Sequence, residues 1–135
     1  MEPDTAPDDR HNRAEQERLS QKFQRELNAG LIGLVLLAVL EQAEEDLYGY
    51  QIAKRLHDRA DGHPPVKQGA LYPVLRQLSA NGLLASRIVP SYAGPPRRYY
   101  RITGAGRRTL AEWRGLWRNT RDFVDGFTES NGASR

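Results

Sequence analysis

Apolar residues recur at helical spacing along the first third of the chain. No proline interrupts residues 14–41, and every third or fourth position on one side is apolar: Leu19, Phe23, Leu27, Leu31, Leu34 and Ala38. That spacing is typical of one face of an α-helix. Over residues 31–40 the apolar side chains surround the helix, which indicates burial on several sides. We therefore expect one long helix at the centre of a domain, with a remaining side available to a second subunit.

Two shorter helices are predicted next. Residues 49–59 place Ile52, Ala53 and Leu56 on one side. Residues 68–81 repeat apolar side chains at i, i+3, i+4 and i+7, which are Leu71, Val74, Leu75 and Leu78. Proline is tolerated in a helix where its missing N–H has no intrahelical acceptor, in the first turn. Pro73 therefore predicts that this helix begins near Gly69 or Ala70.

A hairpin and a last helix complete the pattern. Residues 83–89 and 97–102 are typical of strands, and the Pro- and Gly-bearing segment 90–96 predicts the turn between them. Thr103 is a good N-cap for a helix over residues 104–127. One side of that helix carries a heptad-like seam of Leu110, Trp113, Trp117, Thr120, Val124 and Phe127. The rest of such a small domain leaves nothing to cover both tryptophans, so the seam predicts a partner subunit.

The order helix, helix, helix and hairpin predicts a mainly α fold with a small β-hairpin, a winged helix-turn-helix followed by a dimerisation helix. We expect the winged helix-turn-helix over residues 14–103 and the dimerisation helix over 104–127. The flanking segments 1–13 (acidic) and 128–135 lack apolar periodicity, which predicts disordered tails.

Charge is strongly segregated along the chain. Residues 51–121 hold 14 Lys/Arg against 3 Asp/Glu, whereas residues 1–50 hold 5 against 11. A basic middle segment is typical of a surface that binds phosphate groups. The alternative is a solvated surface on which cations cluster by chance.

Several classes of site are disfavoured. The chain has no cysteine, which excludes a disulfide scaffold, a thiol nucleophile and a zinc–cysteine site. The imidazoles and carboxylates of 57–63 favour solvated surface over a metal site. No triad or phosphate-cradling glycine loop indicates catalysis. We expect no enzyme activity and no cofactor. The acidic N-terminus does not resemble a signal peptide, and the run 31–40 is short for a membrane span, so we expect a cytoplasmic protein with no membrane partner.

The third helix and the hairpin carry the best candidates for chemistry. Gln and Arg suit bidentate contacts to adenine and guanine in the major groove, and cations hold the phosphate backbone. Small residues at a helix start let backbone N–H groups approach a phosphate. An ordinary exposed helix face and simple packing of the tyrosines remain open alternatives. The predicted DNA-binding residues are Lys54, Lys67, Gln68, Gly69, Ala70, Tyr72, Arg76, Gln77, Arg97, Arg98, Tyr99 and Arg101.

Three segments together resemble the PadR family of bacterial transcription regulators. They are YGYQI at 48–52, GALYPVLRQL at 69–78 followed by Gly82, and GPPRRYYRIT at 94–103 followed by Gly106. The resemblance covers about residues 30–110 and is closest to the family's shorter branch, with a single C-terminal helix. It implies a winged-helix domain that binds double-stranded DNA as a homodimer, usually as a repressor that a small molecule releases. This chain has Ala70 where the family commonly has Thr or Ser, so it lacks the hydroxyl for a cap or phosphate contact there.

The seam suggests a further site. Trp113 and Trp117 lie one turn apart, and with Leu110 and Val124 they are predicted to form the effector or dimer interface. In a dimer, Trp117 and its symmetry mate could flank a cavity for a planar aromatic effector. The alternative is that both tryptophans simply fill the dimer core. A second hypothesis for the whole chain is a protein-interaction module that uses the winged-helix scaffold.

Overall fold

The computed structural model describes residues 6–61 and 66–129. Its elements are α1 (Ala6–Gln42), β1 (Leu47–Tyr48), α2 (Gly49–Asp58), α3 (Gln68–Ala80), β2 (Leu84–Val89), β3 (Arg97–Ile102) and α4 (Gly104–Thr128). The predicted order of helices and hairpin and the mainly α fold class are confirmed. The chain forms two compact units that divide between Ile32 and Gly33.

The first unit is the N-terminal part of α1, and it differs from the prediction. The helix begins at Ala6, so the expected disorder of 1–13 is wrong for residues 6–13, while residues 1–5 lie outside the described residues. Ion pairs one turn apart, Glu15 with Arg18 and Lys22 with Glu26, stabilise the exposed helix locally. Residues 6–13 lack the apolar periodicity of a buried face and are helical nevertheless. The expected C-terminal tail lies outside the described residues from position 130 onward, and Thr128 is still helical.

The second unit has one apolar core to which every element contributes. Leu36, Leu37 and Leu40 at the end of α1 are buried, as the apolar run predicts. The other buried apolar residues come from β1, both short helices, the hairpin and α4: Leu47, Ile52, Leu71, Leu75, Leu78, Leu84, Tyr100, Ile102 and Leu110. This core holds α3 and the hairpin as neighbours in a winged helix-turn-helix.

Pro73 lies deeper in α3 than predicted. The helix begins at Gln68, one residue before the predicted start, so Pro73 is its sixth residue. Pro73 has no N–H to donate to the carbonyl of Gly69, one turn earlier. Gly69 is exposed, and water can satisfy that carbonyl, which explains why the helix tolerates the proline.

The sheet has a third strand that the sequence patterns did not predict. Its order is β1-β3-β2, all antiparallel. The two residues of β1 pair with β3, Leu47 opposite Tyr100 and Tyr48 opposite Tyr99. Side chains alternate along β3, so Tyr100 and Ile102 face the core and Arg97, Tyr99 and Arg101 face the other side. We call that other side the outer face of the sheet.

The N-cap of α4 fixes this helix to the end of α3. Thr103 Oγ1 accepts a hydrogen bond from Gly106 N at 3.0 Å, which confirms the predicted cap. The same hydroxyl donates toward the Gly82 carbonyl at 2.7 Å, and Thr103 N donates to the Leu83 carbonyl at 3.1 Å. Gly82, at a φ of +79°, ends the α3 turn with the left-handed backbone that glycine favours.

Composition alone does not exclude a membrane span. By the criterion of length and composition, the helix over Asp9–Gln42 is long and apolar enough to cross a bilayer, although the apolar run 31–40 within it is short for a span. The core helix of a soluble protein satisfies the same criterion. Leu36 and Leu37 are fully buried in the chain's own core, as they would be in such a helix. The length and composition of this helix are therefore only weak evidence for a membrane span.

Candidate nucleic-acid interface

We call the hairpin (84–102) the wing. A cleft separates α3 from the wing, and the volume of this cleft is about 580 Å³. The lining comes from the start of α2, the exposed side of α3 and the wing with its turn: Tyr48, Gly49, Tyr50, Gln68, Tyr72, Arg76, Ser91, Ala93, Gly94, Pro95, Pro96, Arg97, Arg98 and Tyr100. Five of the predicted DNA-binding residues therefore share one cleft: Gln68, Tyr72, Arg76, Arg97 and Arg98. No acidic side chain is among these lining residues.

Tyr72 couples α3 to the start of α2. A Cβ placed on Gly49 would lie 2.7 Å from Tyr72 Cε1 and 2.8 Å from its hydroxyl, so the ring packs directly on this glycine. Gln68 Nε2 donates a hydrogen bond of 2.7 Å to the Tyr72 hydroxyl. Two predicted DNA-binding residues thus hold each other in place on the exposed side of α3.

The two wing arginines are oriented by different partners. The Arg97 guanidinium lies over the Tyr48 ring, 4.6 Å from the ring centroid. In this arrangement the face of the aromatic ring attracts the cation. Arg98 Nη1 donates to Ser86 Oγ at 3.0 Å across the hairpin. Neither forms an ion pair with a carboxylate in the part of the chain that the structure describes, so both charges are available to an anion.

Tyr99 lies on the outer face of the sheet and packs there. Its ring centroid is 5.2 Å from that of Tyr48, and the Arg87 guanidinium lies 5.2 Å from the Tyr99 centroid. Arg87 Nε also bonds Asp46 Oδ2 at 3.0 Å. Of the two interpretations left open for this tyrosine, the structure favours packing, because its ring contacts Tyr48 and Arg87 and is not part of the cleft lining.

The remaining predicted residues lie outside the cleft. Lys54 is on the exposed side of α2, where its Nζ is 3.2 Å from Asp58 Oδ2, so part of its charge is compensated. Lys67 precedes α3 with no side-chain cap, and Gly69 and Ala70 are exposed in the first turn. Gln77 is exposed on α3, and Arg101 is exposed on the outer face of the sheet. No contact in the structure assigns either residue a role.

Sequence reasoning missed three tyrosines of the cleft, Tyr48, Tyr50 and Tyr100. Tyr48 and Tyr50 belong to the segment YGYQI, which resembles the family but holds none of the predicted DNA-binding residues. Burial raises the pKa of Tyr100, although the charges of Arg98 and Arg76 lower it in part. The phenol therefore stays protonated at neutral pH, with two arginines near it.

Two assignments to the C-terminal seam need correction. Leu110 is 0% exposed and belongs to the chain's own core, so it is unavailable to a partner or effector. Trp113 is half-buried beside α1: a Cβ on Gly33 would lie 3.5 Å from Trp113 Cζ3. The expectation that the chain has nothing to cover both tryptophans is wrong for Trp113, because α1 passes beside it. Arg114 Nη2 and Glu41 Oε1, 3.1 Å apart, join the same two helices.

The distal part of α4 is an apolar surface. Phe123 and Phe127 are 67% and 73% exposed, and their rings meet edge to face with centroids 5.2 Å apart. Leu116 and Val124 are exposed as well. Contiguous exposed apolar side chains of this kind are typical of an interface. Among residues 6–61 and 66–129, no group of three or more His, Asp or Glu side chains is placed to hold a metal ion.

Comparison with known proteins places this fold. The transcriptional regulator PadR-like family matches residues 36–112. A PadR family transcriptional regulator of Eggerthella lenta is 33% identical, with a TM-score of 0.70, over 87% of this chain and 99% of that one. A transcriptional regulator of Mycobacterium tuberculosis is 43% identical over 70 residues, 50% of this chain and 63% of that protein.

A more distant structure shares the fold. Bacillus subtilis PadR, solved in complex with operator DNA, is 22% identical, with a TM-score of 0.55, over 62% of this chain and 46% of that one. The family match covers more than half of the chain. The chain therefore belongs to the PadR-like family, which consists of transcriptional regulators and not of enzymes.

Proposed function

We propose that this protein is a DNA-binding transcription regulator that places α3 in a major groove and the wing on the flanking backbone. The observation that carries the proposal is the shared cleft, in which the exposed side of α3 and the wing arginines meet. A major groove about 12 Å wide admits an α-helix. The Bacillus subtilis neighbour, a complex with operator DNA, supports the capacity of this fold to bind DNA.

Electrostatics supports the same surface. Arg76, Arg97 and Arg98 have no carboxylate partner within 6–61 and 66–129, and the cleft lining holds no acidic residue. Uncompensated arginines around one concave surface raise the local concentration of anions. Other arginines of the second unit, such as Arg87 and Arg114, are paired with Asp46 and Glu41. The cleft therefore offers three uncompensated guanidinium groups to phosphate.

Base reading is proposed for the exposed residues of α3. Arg76 is exposed at the middle of the helix and suits bidentate bonds to guanine O6 and N7. Gln68 donates to Tyr72 in the free protein, so binding adenine through its amide requires exchange of that bond for bonds to the base. Arg76 is the residue most available for direct readout.

A second copy of the chain is the proposed occupant of the exposed surface of α4. Burying Phe123 and Phe127 against a symmetry mate would remove the largest exposed apolar rings of that helix from water. A two-fold dimer carries two copies of α3, and its operator would be a pseudo-palindrome with half-sites about 34 Å or a multiple of that apart. Occupying such a site in a promoter would repress transcription, in the cytoplasm where the DNA lies.

Response to a planar aromatic effector is a finer part of the proposal. Trp117 lies one turn beyond Trp113 on α4 and is half-buried within its own chain. Because α1 packs beside Trp113, Trp117 is the tryptophan to test. Quenching of fluorescence by planar aromatics in the wild type, lost in Trp117→Phe, would support an effector site. Equal quenching in both proteins would remove Trp117 from it.

Paired substitutions test the division between base reading and backbone binding. Arg76→Ala should reduce the ratio of affinities for specific and random duplexes by about tenfold, because a bidentate base contact contributes about 1–3 kcal/mol of discrimination. Arg97→Ala should weaken both kinds of binding alike and lower the slope of log K against log salt by about 0.9. Arg118→Ala removes one exposed charge from α4 and is the matched control. Fluorescence anisotropy with labelled duplexes measures all three.

Two outcomes would contradict the proposal. If Arg76→Ala loses affinity equally for specific and random duplexes, the base-reading role is wrong. If the wild type forms no salt-sensitive complex with any duplex, the protein-interaction hypothesis replaces DNA binding.

A further inference from the structure

Tyr100 closes the back of the cleft and was outside the predicted binding set. Its side chain is only 3% exposed, yet it lines the cleft. Its hydroxyl has no hydrogen-bond partner among the described residues. Arg76, Arg98 and Tyr72 line the same cleft and act electrostatically on the Tyr100 phenol, so the hydroxyl lies beside the cleft.

Two arginines accompany this hydroxyl. Arg98 lies two residues earlier on the same side of β3, and its bond to Ser86, the residue opposite Tyr100 on β2, holds the guanidinium near the phenol. Arg76 approaches from α3 and lines the same cleft. The positive charges of both arginines act on the Tyr100 phenol, and burial still raises its pKa, so the hydroxyl remains a donor at neutral pH.

The chemistry of this group of residues selects an anion with several acceptor oxygens. A phenol and two guanidinium groups supply donors, and no carboxylate in the lining competes for them. The tyrosine rings of the other wall, Tyr50 and Tyr72, offer apolar surface beside the donors. A volume of about 580 Å³ accommodates one nucleotide unit.

We propose that Tyr100, Arg76 and Arg98 form a seat for a single phosphate of the DNA backbone, with the adjoining sugar against the tyrosine rings. The inference rests on the proposed function and deepens it, because it names a buried neutral residue as a DNA ligand. It also gives Arg76 a phosphate on one side and a base edge on the other. A phosphate held at a fixed depth would set how far α3 enters the groove.

Salt dependence distinguishes the phenol from the arginines. Tyr100→Phe should weaken duplex binding about tenfold, because a hydrogen bond to a charged group is lost. Its slope of log K against log salt should stay at the wild-type value, because no cation is removed. Arg98→Ala should lower that slope by about 0.9. Tyr99→Phe, the same chemical change one residue away on the outer face of the sheet, should leave affinity unchanged.

Phosphate replacement locates the seat. A scan of methylphosphonates, which neutralise one backbone phosphate at a time, should lower wild-type affinity at several positions in each half-site, and one of these is the loss at the seat. That loss should shrink about tenfold in Tyr100→Phe, since the variant no longer bonds that phosphate. If Tyr100→Phe fails to melt cooperatively, the same scan with Arg98→Ala should show the reduced loss at the same position.

Each failure has a distinct meaning. A wild type that binds duplex DNA while Tyr100→Phe and Tyr99→Phe both match it in affinity overturns the seat and leaves the proposed function intact. A methylphosphonate scan in which the same loss persists in Tyr100→Phe and in Arg98→Ala also overturns it. A wild type that binds no duplex removes the proposed function, and the seat with it.

Discussion

Gly106, in the first turn of α4, lies where a side chain cannot be accommodated. A Cβ on this residue would be 2.1 Å from the Leu83 carbonyl oxygen and 2.7 Å from Ile102 Cγ1. The Leu83 carbonyl is part of the main chain between α3 and β2 and already accepts a hydrogen bond from Thr103 N. Gly106→Ala therefore forces the N-terminus of α4 away from the end of α3 and strains the wing.

The magnitude follows from three contributions. Overpacking a well-filled site costs about 1–3 kcal/mol. Weakening the Thr103 cap and its bond to Leu83 adds about 1 kcal/mol. The higher helix propensity of alanine offsets at most about 1 kcal/mol. We expect the free energy of unfolding to fall by about 2–3 kcal/mol, with a decrease in Tm on the order of 10 °C.

Gly115→Ala in the same helix is the matched control. A Cβ there meets nothing within 4 Å, and the residue lies on the side of α4 opposite the tryptophan seam. This variant should gain up to about 1 kcal/mol, because alanine is the better helix former. Urea unfolding followed by circular dichroism, at one protomer concentration for all proteins, measures both values. Equal stability of Gly106→Ala and Gly115→Ala would refute the close packing at Leu83.

Three further predictions address other contacts. Gly49→Ala should displace the Tyr72 ring and break its bond with Gln68, which lowers stability by about 1 kcal/mol and weakens duplex binding; unchanged stability and affinity would contradict it. Because burial raises the pKa of Tyr100, the stability it confers is complete below the ordinary phenol value of about 10 and is lost as the pH rises through the raised value. Above pH 10, the free energy of unfolding measured in urea titrations should therefore fall more for the wild type than for Tyr100→Phe. An equal fall in both proteins would contradict this prediction. Glu41→Gln should cost under about 1 kcal/mol, since the pair with Arg114 is partly exposed, and a larger loss in the same titration would show a stronger tie between α1 and α4.

Periodic features of the sequence predicted most of the elements. The stripe of Leu71, Leu75 and Leu78 identifies α3, because spacings of four and three residues put all three on one face of a helix. In a strand, where faces alternate at every residue, they would not share one face. Thr103 identifies the start of α4 because its cap is a local interaction. The two-residue strand β1 could not be found this way, since it is too short to show alternation and exists through pairing with β3.

The site was predicted only in part for a similar reason. The positive charge of Arg97 and Arg98, at the start of β3, can be read from the sequence. The burial of Tyr100 and the outward position of Tyr99 depend on which face of β3 meets the core, and two adjacent tyrosines do not reveal it. The seam of α4 likewise could not show that Leu110 faces its own chain while Phe123 and Phe127 remain exposed, because a heptad pattern does not distinguish an internal partner from an external one.

Selection of bound sequences from a pool of random duplexes tests the central claim most directly. If two copies of α3 enter successive major grooves, the enriched sequences should contain an inverted repeat whose halves lie about 34 Å or a multiple of that apart. Arg76→Ala should enrich the same repeat with relaxed preference at one base pair of each half. Recovery of unrelated sequences with no repeat, from a wild-type protein that is folded, would contradict sequence reading by α3.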